Sequence, residues 1–457
     1  MKQLKVIGIL IFLVLLLIKC QKATVFPATQ YDDELSGGDE TVFDATSQAF
    51  GSMFPRLTGY DVHVHTLGDL VFNQSFVTAP ALIHSGLGPI YNSTACTNCH
   101  HNDGIGLPTA GELQSSLLLR ISLPGTDSHG GSIPVPGYGL QLQDKAVYGK
   151  APECKININY AYQTYYFDDG TSYELRTPTY TLSNLYTPIT GTYMLSPRLA
   201  PPMFGLGLLE GVPESEILEY ADPNDANGNG IKGRANYVWD AATQSKQLGR
   251  FGWKANTASI LTQVATAFNQ DMGITTSLLP VENSFGQPQY DGLKDDPELP
   301  DSLLNAVKFY AQTLAVPARR NTTNAIVKRG EQLFILAKCA DCHRQTLTTA
   351  ANMAFPAISN QVIHPYTDML VHDMGPGLAD NRPDYNAGPQ DWRTAALWGL
   401  GLFTTVNSPG YYLHDGRART ITEAIMWHGG EAAPSQAYFS HLSTADRTAV
   451  LAFLNSL

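Results

Sequence analysis

Cys96-Thr97-Asn98-Cys99-His100 and Cys339-Ala340-Asp341-Cys342-His343 are the two stretches whose reading decides the fold. C-x-x-C-H is the attachment signature of c-type haem. Each cysteine pair reaches the two vinyl groups of one porphyrin as thioethers, and the adjacent histidine becomes the proximal iron ligand. Cys96, Cys99 and His100 are therefore expected to hold one covalent haem, and Cys339, Cys342 and His343 a second. Three other uses of paired cysteines stand beside this reading: a thioredoxin-like redox pair, a four-cysteine zinc site and a structural disulfide. None of them needs the fifth-position histidine.

The chain has 457 residues, 43% of them hydrophobic, enough for two or more domains with sizeable cores. Lys and Arg number 29 against 41 Asp and Glu, a net charge of -12. Beyond the N-terminus there is no long basic run, which argues against a nucleic-acid partner. An acidic surface suits a soluble electron-transfer protein or an extracytoplasmic enzyme, and also simply favours solubility.

Residues 1–20 read as an export signal: two lysines within Met1–Lys5, then the aliphatic run Val6–Ile18. Cys20 follows where a bacterial lipoprotein would be cleaved and acylated, although Ile18-Lys19 departs from the small residues expected there. The implied location is the bacterial cell envelope, either periplasmic or anchored to the outer membrane by a lipid. Any membrane contact would run through that lipid. Residues 21–60 form a polar tether. Cys154 is the one cysteine without a role, and reads as a buried thiol.

Helical spacing predicts helices over Ser302–Val316, stopped by Pro317, over Asn324–Ala337, and over Asp446–Leu457. Helix, haem motif, long loop and terminal helix is the order of class I cytochrome c domains, which residues 324–457 resemble. In such a domain Gly330 would let the first and last helices cross closely. An internal repeat pairs Pro201-Pro202-Met203-Phe204-Gly205-Leu206-Gly207-Leu208 with Ala395-Ala396-Leu397-Trp398-Gly399-Leu400-Gly401-Leu402. The expected fold class is therefore mainly α, with two class I cytochrome c-like domains. The N-terminal haem domain would span 61–300 and carry a long insertion, and the C-terminal domain would span 301–457.

Six further segments carry a family resemblance: Tyr366–Gly375, Asp391–Thr394, Leu413–Thr420, Trp427–Ala432, Gly86–Pro89 and Gly249–Ala255. Together they resemble the di-haem oxidoreductase, or peroxidase-like, family, itself distantly similar to bacterial di-haem cytochrome c peroxidases. The resemblance implies a division of labour in which the N-terminal haem meets peroxide and the C-terminal haem takes electrons from a donor. In those relatives the sixth ligand of the C-terminal haem is a methionine fourteen residues after the histidine of an H-D-G motif. Here that count from His414 lands on His428. Imidazole in place of thioether lowers the potential of a haem. Met426, Met369 and Met374 are rival ligands.

For the first haem, aligning the repeat copies brings Tyr220 to an axial position, though a tyrosine on a helix also serves as packing. Glu210, Glu214, Glu216 and His129 are the acid–base candidates for peroxide chemistry. Arg198, Arg393 and Arg417 are candidates for pairing with haem propionates. Asp222, Asp225, Asn227 and Asn229, spaced by glycines, suggest a calcium loop, but Asn236 stands where a bidentate glutamate belongs. A plain turn loop explains the same residues.

Two functions follow. One is an oxidoreductase, peroxidase-like, that moves electrons from a small redox protein or quinol-linked donor through the C-terminal haem to a small-molecule oxidant at the N-terminal haem. The other is a non-enzymatic di-haem electron carrier with both irons six-coordinate.

Overall fold

The computed structural model describes residues 34–352 and 354–457. Residues 1–33, with the expected export signal, Cys20 and the first part of the expected tether, lie outside the described residues. Helix α1 (Tyr60–Asn73) precedes the first motif. The segment between this motif and the glycine turn at Gly205 is mostly strand: β1 (Leu117–Thr126), β2 (Lys155–Tyr166), β3 (Ser172–Ser183) and β4 (Met194–Leu199). Helices α2 (Ile260–Met272) and α3 (Asp301–Gln312) follow. Then come α4 (Ala325–Leu336), which leads into the second motif, the short α5 (Ile421–Met426) and the terminal α6 (Thr444–Leu454).

The expectation of a mainly α fold of two class I cytochrome c-like domains is overturned: the chain is mixed, 27% helical and 20% strand, with the strands spread over many small sheets. The reason lies in the insertion. Lys155-Ile-Asn-Ile-Asn-Tyr160 alternates apolar and polar residues, the period of a strand. Asp168-Asp169-Gly170 then supplies a tight turn, with Gly170 at φ +80° and Asp169 Oδ1 accepting from Thr171 N at 3.0 Å. The result is a long antiparallel hairpin of β2 and β3. Strand β1 pairs with β4 and with Ser132–Ile133, and covers a small core of Leu117, Leu119, Ile121, Val135, Tyr138, Leu142 and Ile156. Cys154 is buried in that core, and burial pushes its thiol up to about 12.

Two helix pairs frame the motifs, and both cross at a glycine. A Cβ on Gly68 of α1 would lie 2.1 Å from the carbonyl oxygen of Ala306 in α3. One on Gly330 of α4 would lie 1.9 Å from that of Ala449 in α6. The repeated Gly-Leu-Gly-Leu turns occupy matching surroundings. A Cβ on Gly205 would lie 2.4 Å from Trp398, and one on Gly399 would lie 2.4 Å from Phe204. Helix α4 is capped by Asn324, whose Oδ1 accepts from Ile326 N at 2.8 Å, and α6 by Ser443. Helix α3 ends at Gln312, before the stop expected at Pro317. The residue before a proline avoids helical backbone, and Val316–Pro317 pairs instead with Thr41–Val42.

Candidate haem cavity

A cavity of about 670 Å³ is lined by both motifs: by Cys96, Cys99 and His100, and by Cys339, Cys342 and His343. All four cysteines are free, so neither pair is a disulfide. Among the described residues they do not converge on one point as a zinc site requires.

The histidines are set for metal binding by their second nitrogen. His100 Nδ1–H donates to the carbonyl of Pro201 at 2.8 Å, and His343 Nδ1–H to that of Tyr366 at 2.9 Å. This fixes the tautomer and leaves the Nε2 lone pair free for iron. Burial pushes both imidazoles down to about 4, so both are neutral near pH 7. Phe72 of α1 sits 6.1 Å from His100, and Phe334 of α4 sits 6.2 Å from His343.

His428 shares the pattern. It follows α5, its Nδ1–H donates to Ala424 O at 2.8 Å, and it lines the same cavity near enough to His343 to help hold that imidazole neutral. Of the rival methionines, Met374 also lines the cavity, whereas Met369 and Met426 are buried away from its wall.

Charged groups form one wall. Arg198 Nη2 meets Asp384 Oδ2 at 2.9 Å and Asp380 Oδ2 at 3.2 Å, and Arg382 Nη1 meets Asp384 Oδ1 at 2.5 Å. Behind them, fully buried Lys254 donates to Asp380 Oδ1 and to the carbonyls of Arg382 and Gly388. Burial pulls its ammonium down to about 8. Among the described residues Arg198 Nη1 is buried without a partner, which suits a carboxylate of a group held in the cavity. Arg393 lines the cavity too, with Nε donating to Gly252 O at 3.0 Å. Arg417 does not. It is bound to Asp415 and to Gly377 O, and lies over Trp427.

The four acid–base candidates lie off the cavity wall. Glu210 accepts from Ile260 N and Gln312, and Glu214 from the Tyr237 hydroxyl. Glu216 accepts from Thr348 N, and exposed His129 stacks on Trp239. Tyr220 is also off the wall, with its ring under the Arg344 guanidinium 4.9 Å away. The side-chain oxygens of the 222–230 loop turn onto the loop's own amides. Asp222 accepts from Ala226 N, Asp225 from Gly230 N, Asn227 from Asn229 N and Asn229 from Ile231 N. Asn227 and Asn229, each bonded two residues on, form Asx turns, and Asp222 and Asp225 close the wider loop.

Several wall residues had no role in the sequence reading. Arg120, Gln270 and Asp271 line the cavity, with Arg120 bonded to Gln270. Trp392 stacks on His414 with 3.7 Å between ring centroids, while Arg198 and Lys254 approach the same indole. His372 and Glu431 line the cavity as well. Tyr366–Gly375 and Trp427–Ala432 were visible as family-like motifs, and they carry His372 and Glu431.

Two cysteine–histidine motifs opening on one cavity, with free thiols and iron-ready imidazoles, define a protein built around two haems. A family model described as "Di-haem oxidoreductase, putative peroxidase" matches residues 30–457, and the chain belongs to that family. Comparison with curated proteins and with solved structures returned no match.

Proposed function

We propose that the chain is an exported c-type cytochrome that works as a peroxidase-like oxidoreductase. Electrons would enter from a small redox protein or quinol-linked donor at the haem of Cys339, Cys342 and His343. They would leave to a small-molecule oxidant at the haem of Cys96, Cys99 and His100. One observation carries this reading: His100 and His343, each beside two free cysteines on the cavity wall, both have Nδ1–H tied to a backbone carbonyl and Nε2 left free. Haem iron supplies one-electron chemistry and, at an open coordination position, reaction with a small oxidant.

The residues divide the work. His100 and His343 would hold the two irons through Nε2, and His428 would close the second iron's remaining position. Arg198 Nη1 and Arg393 would meet propionates. The shared apolar cavity would exclude water between the centres. Export rests on residues 1–20, and a lipid on Cys20 would tether the protein to the envelope.

The electron-carrier reading is favoured by a different observation: none of Glu210, Glu214, Glu216 and His129 reaches the cavity wall. Carbon monoxide and hydrogen peroxide decide between the two. With the C-terminal haem reduced, the oxidoreductase reading requires peroxide to reoxidise it within a turnover, and His100→Ala to abolish that response. Two low-spin haems in every redox state, inert to both reagents, would establish a carrier.

A further inference from the structure

At the second motif, a buried imidazole is clamped between two carboxylates. His372 Nε2 lies 2.9 Å from Asp368 Oδ2, and its Nδ1 lies 2.8 Å from Glu431 Oε2 and 3.6 Å from Cys342 Sγ. All three side chains are more than nine-tenths buried. With Cys342 committed to a porphyrin, this is not a metal site, and the cluster needs another account.

Its geometry is held from several elements. Asp368 Oδ1 accepts from Leu370 N at 3.0 Å. Glu431 accepts from Lys232 N at 2.8 Å and from Asp373 N at 3.2 Å, and pairs with Arg234, which also meets Asp391. Arg393 feels the Asp368 charge, and His372 acts electrostatically on His343. A Cβ on Gly233 would lie 3.0 Å from His372 Cε1, so backbone closes the remaining side. Each imidazole nitrogen faces a carboxylate oxygen, so both carry a proton and the ring is a cation. Burial opposes that charge, but Asp368 and the bonds to it and to Glu431 hold His372 well above its usual range. The triad therefore presents two negative charges and one positive beside the thioether sulfur.

We propose that the Asp368–His372–Glu431 triad is a positioning and charge-setting device that fixes the reduction potential of the C-terminal haem. A cation this close stabilises the ferrous state, and each carboxylate opposes it. Removing members of opposite charge must therefore move the potential in opposite directions, whereas general loosening of the pocket would move it one way only.

The inference rests on the covalent-haem reading, and spectropotentiometric titration of the full-length holoprotein separates the two. His372→Gln is expected to lower the C-terminal potential. Glu431→Gln is expected to raise it. Each should change the ferrous-to-ferric ratio at a fixed ambient potential about tenfold, which is about 59 mV for one electron. Shifts of the same sign, or none, would overturn the proposal. Absence of any C-terminal haem signal in the wild-type protein would overturn the haem reading and the inference together.

Discussion

Gly330→Ala tests the helix crossing that supports the second motif. The added methyl would lie 1.9 Å from Ala449 O, 2.5 Å from Ala449 C and 2.8 Å from Phe453 Cβ. Non-bonded carbons settle near 3.5 Å, so the 2.5 Å approach to Ala449 C alone requires α4 and α6 to separate by about 1 Å. The obstacle is backbone, which has no rotamer to turn aside. Two effects compete. In a helix alanine is better than glycine by about 1 kcal/mol, whereas overpacking costs about 1–3 kcal/mol and at times more. With the clash this severe, the overpacking cost sits at or above the top of that range, and the net loss is about 2 kcal/mol. Phe334, packed on Phe453 and 6.2 Å from His343, would carry the shift to the second motif. The assay is thermal unfolding at one scan rate, followed by far-ultraviolet circular dichroism and by the Soret band. The midpoint should fall by about 2 °C. Gly68→Ala, 2.1 Å from Ala306 O, should do the same at the first motif. A Gly330→Ala midpoint at or above the wild-type value would refute the reasoning, since helix propensity alone would then be acting.

His428→Met should leave the C-terminal haem six-coordinate and raise its potential, because thioether favours the ferrous form; an unchanged spectrum and potential would place His428 off the iron. Burial pushes fully buried Glu153 up to about 8 from a usual 4.5. Stability present below the lower value is lost as pH rises through the higher one, by about 5 kcal/mol at full ionisation. The wild-type melting midpoint should thus fall from pH 5 to pH 9, and Glu153→Gln should make that fall shallower. Glu282, Glu298 and Asp103, each raised by burial to about 7, should keep part of it. Arg176 of β3 donates to Arg417 O at 2.9 Å and Gly416 O at 2.7 Å, and lies 4.2 Å over Tyr160. Arg176→Ala should cost about 2–4 kcal/mol and speed proteolytic cleavage within 155–183.

What was legible in the chain was whatever local chemistry dictates. The two C-x-x-C-H motifs name their own ligand types. The helices around Leu303–Tyr310, Leu333-Phe334 and Val450–Leu454 follow from 3.6-residue spacing, and their starts follow from Pro300, Asn324 and Ser443. The β2–β3 hairpin was legible too, in the Ile-Asn alternation and the Asp-Gly turn, but the cytochrome-like order of the C-terminal segment drew the reading toward helices. The helix that opens at the expected domain limit, α3, packs on α1 through Gly68, a crossing that no local pattern announces. Glu210, Glu214 and Glu216 were candidates because the repeat places their acid-rich segment beside the first haem, yet their carboxylates serve backbone amides and side chains elsewhere, and His129 stacks on Trp239. Long-range pairings such as His372 with Glu431, or Arg198 with Asp380 and Asp384, depend on how loops return in space, and no spacing rule reveals them.

The central claim is that each motif binds its haem covalently. The most direct measurement is the haem content of protein made in a host competent for cytochrome c maturation, after denaturation and acid-acetone extraction. The colour is expected to stay with the polypeptide and the pyridine haemochrome to give two haems per chain, falling to one in either Cys96→Ala/Cys99→Ala or Cys339→Ala/Cys342→Ala. Colourless extracted protein, or a haem count unchanged by both double substitutions, would contradict it.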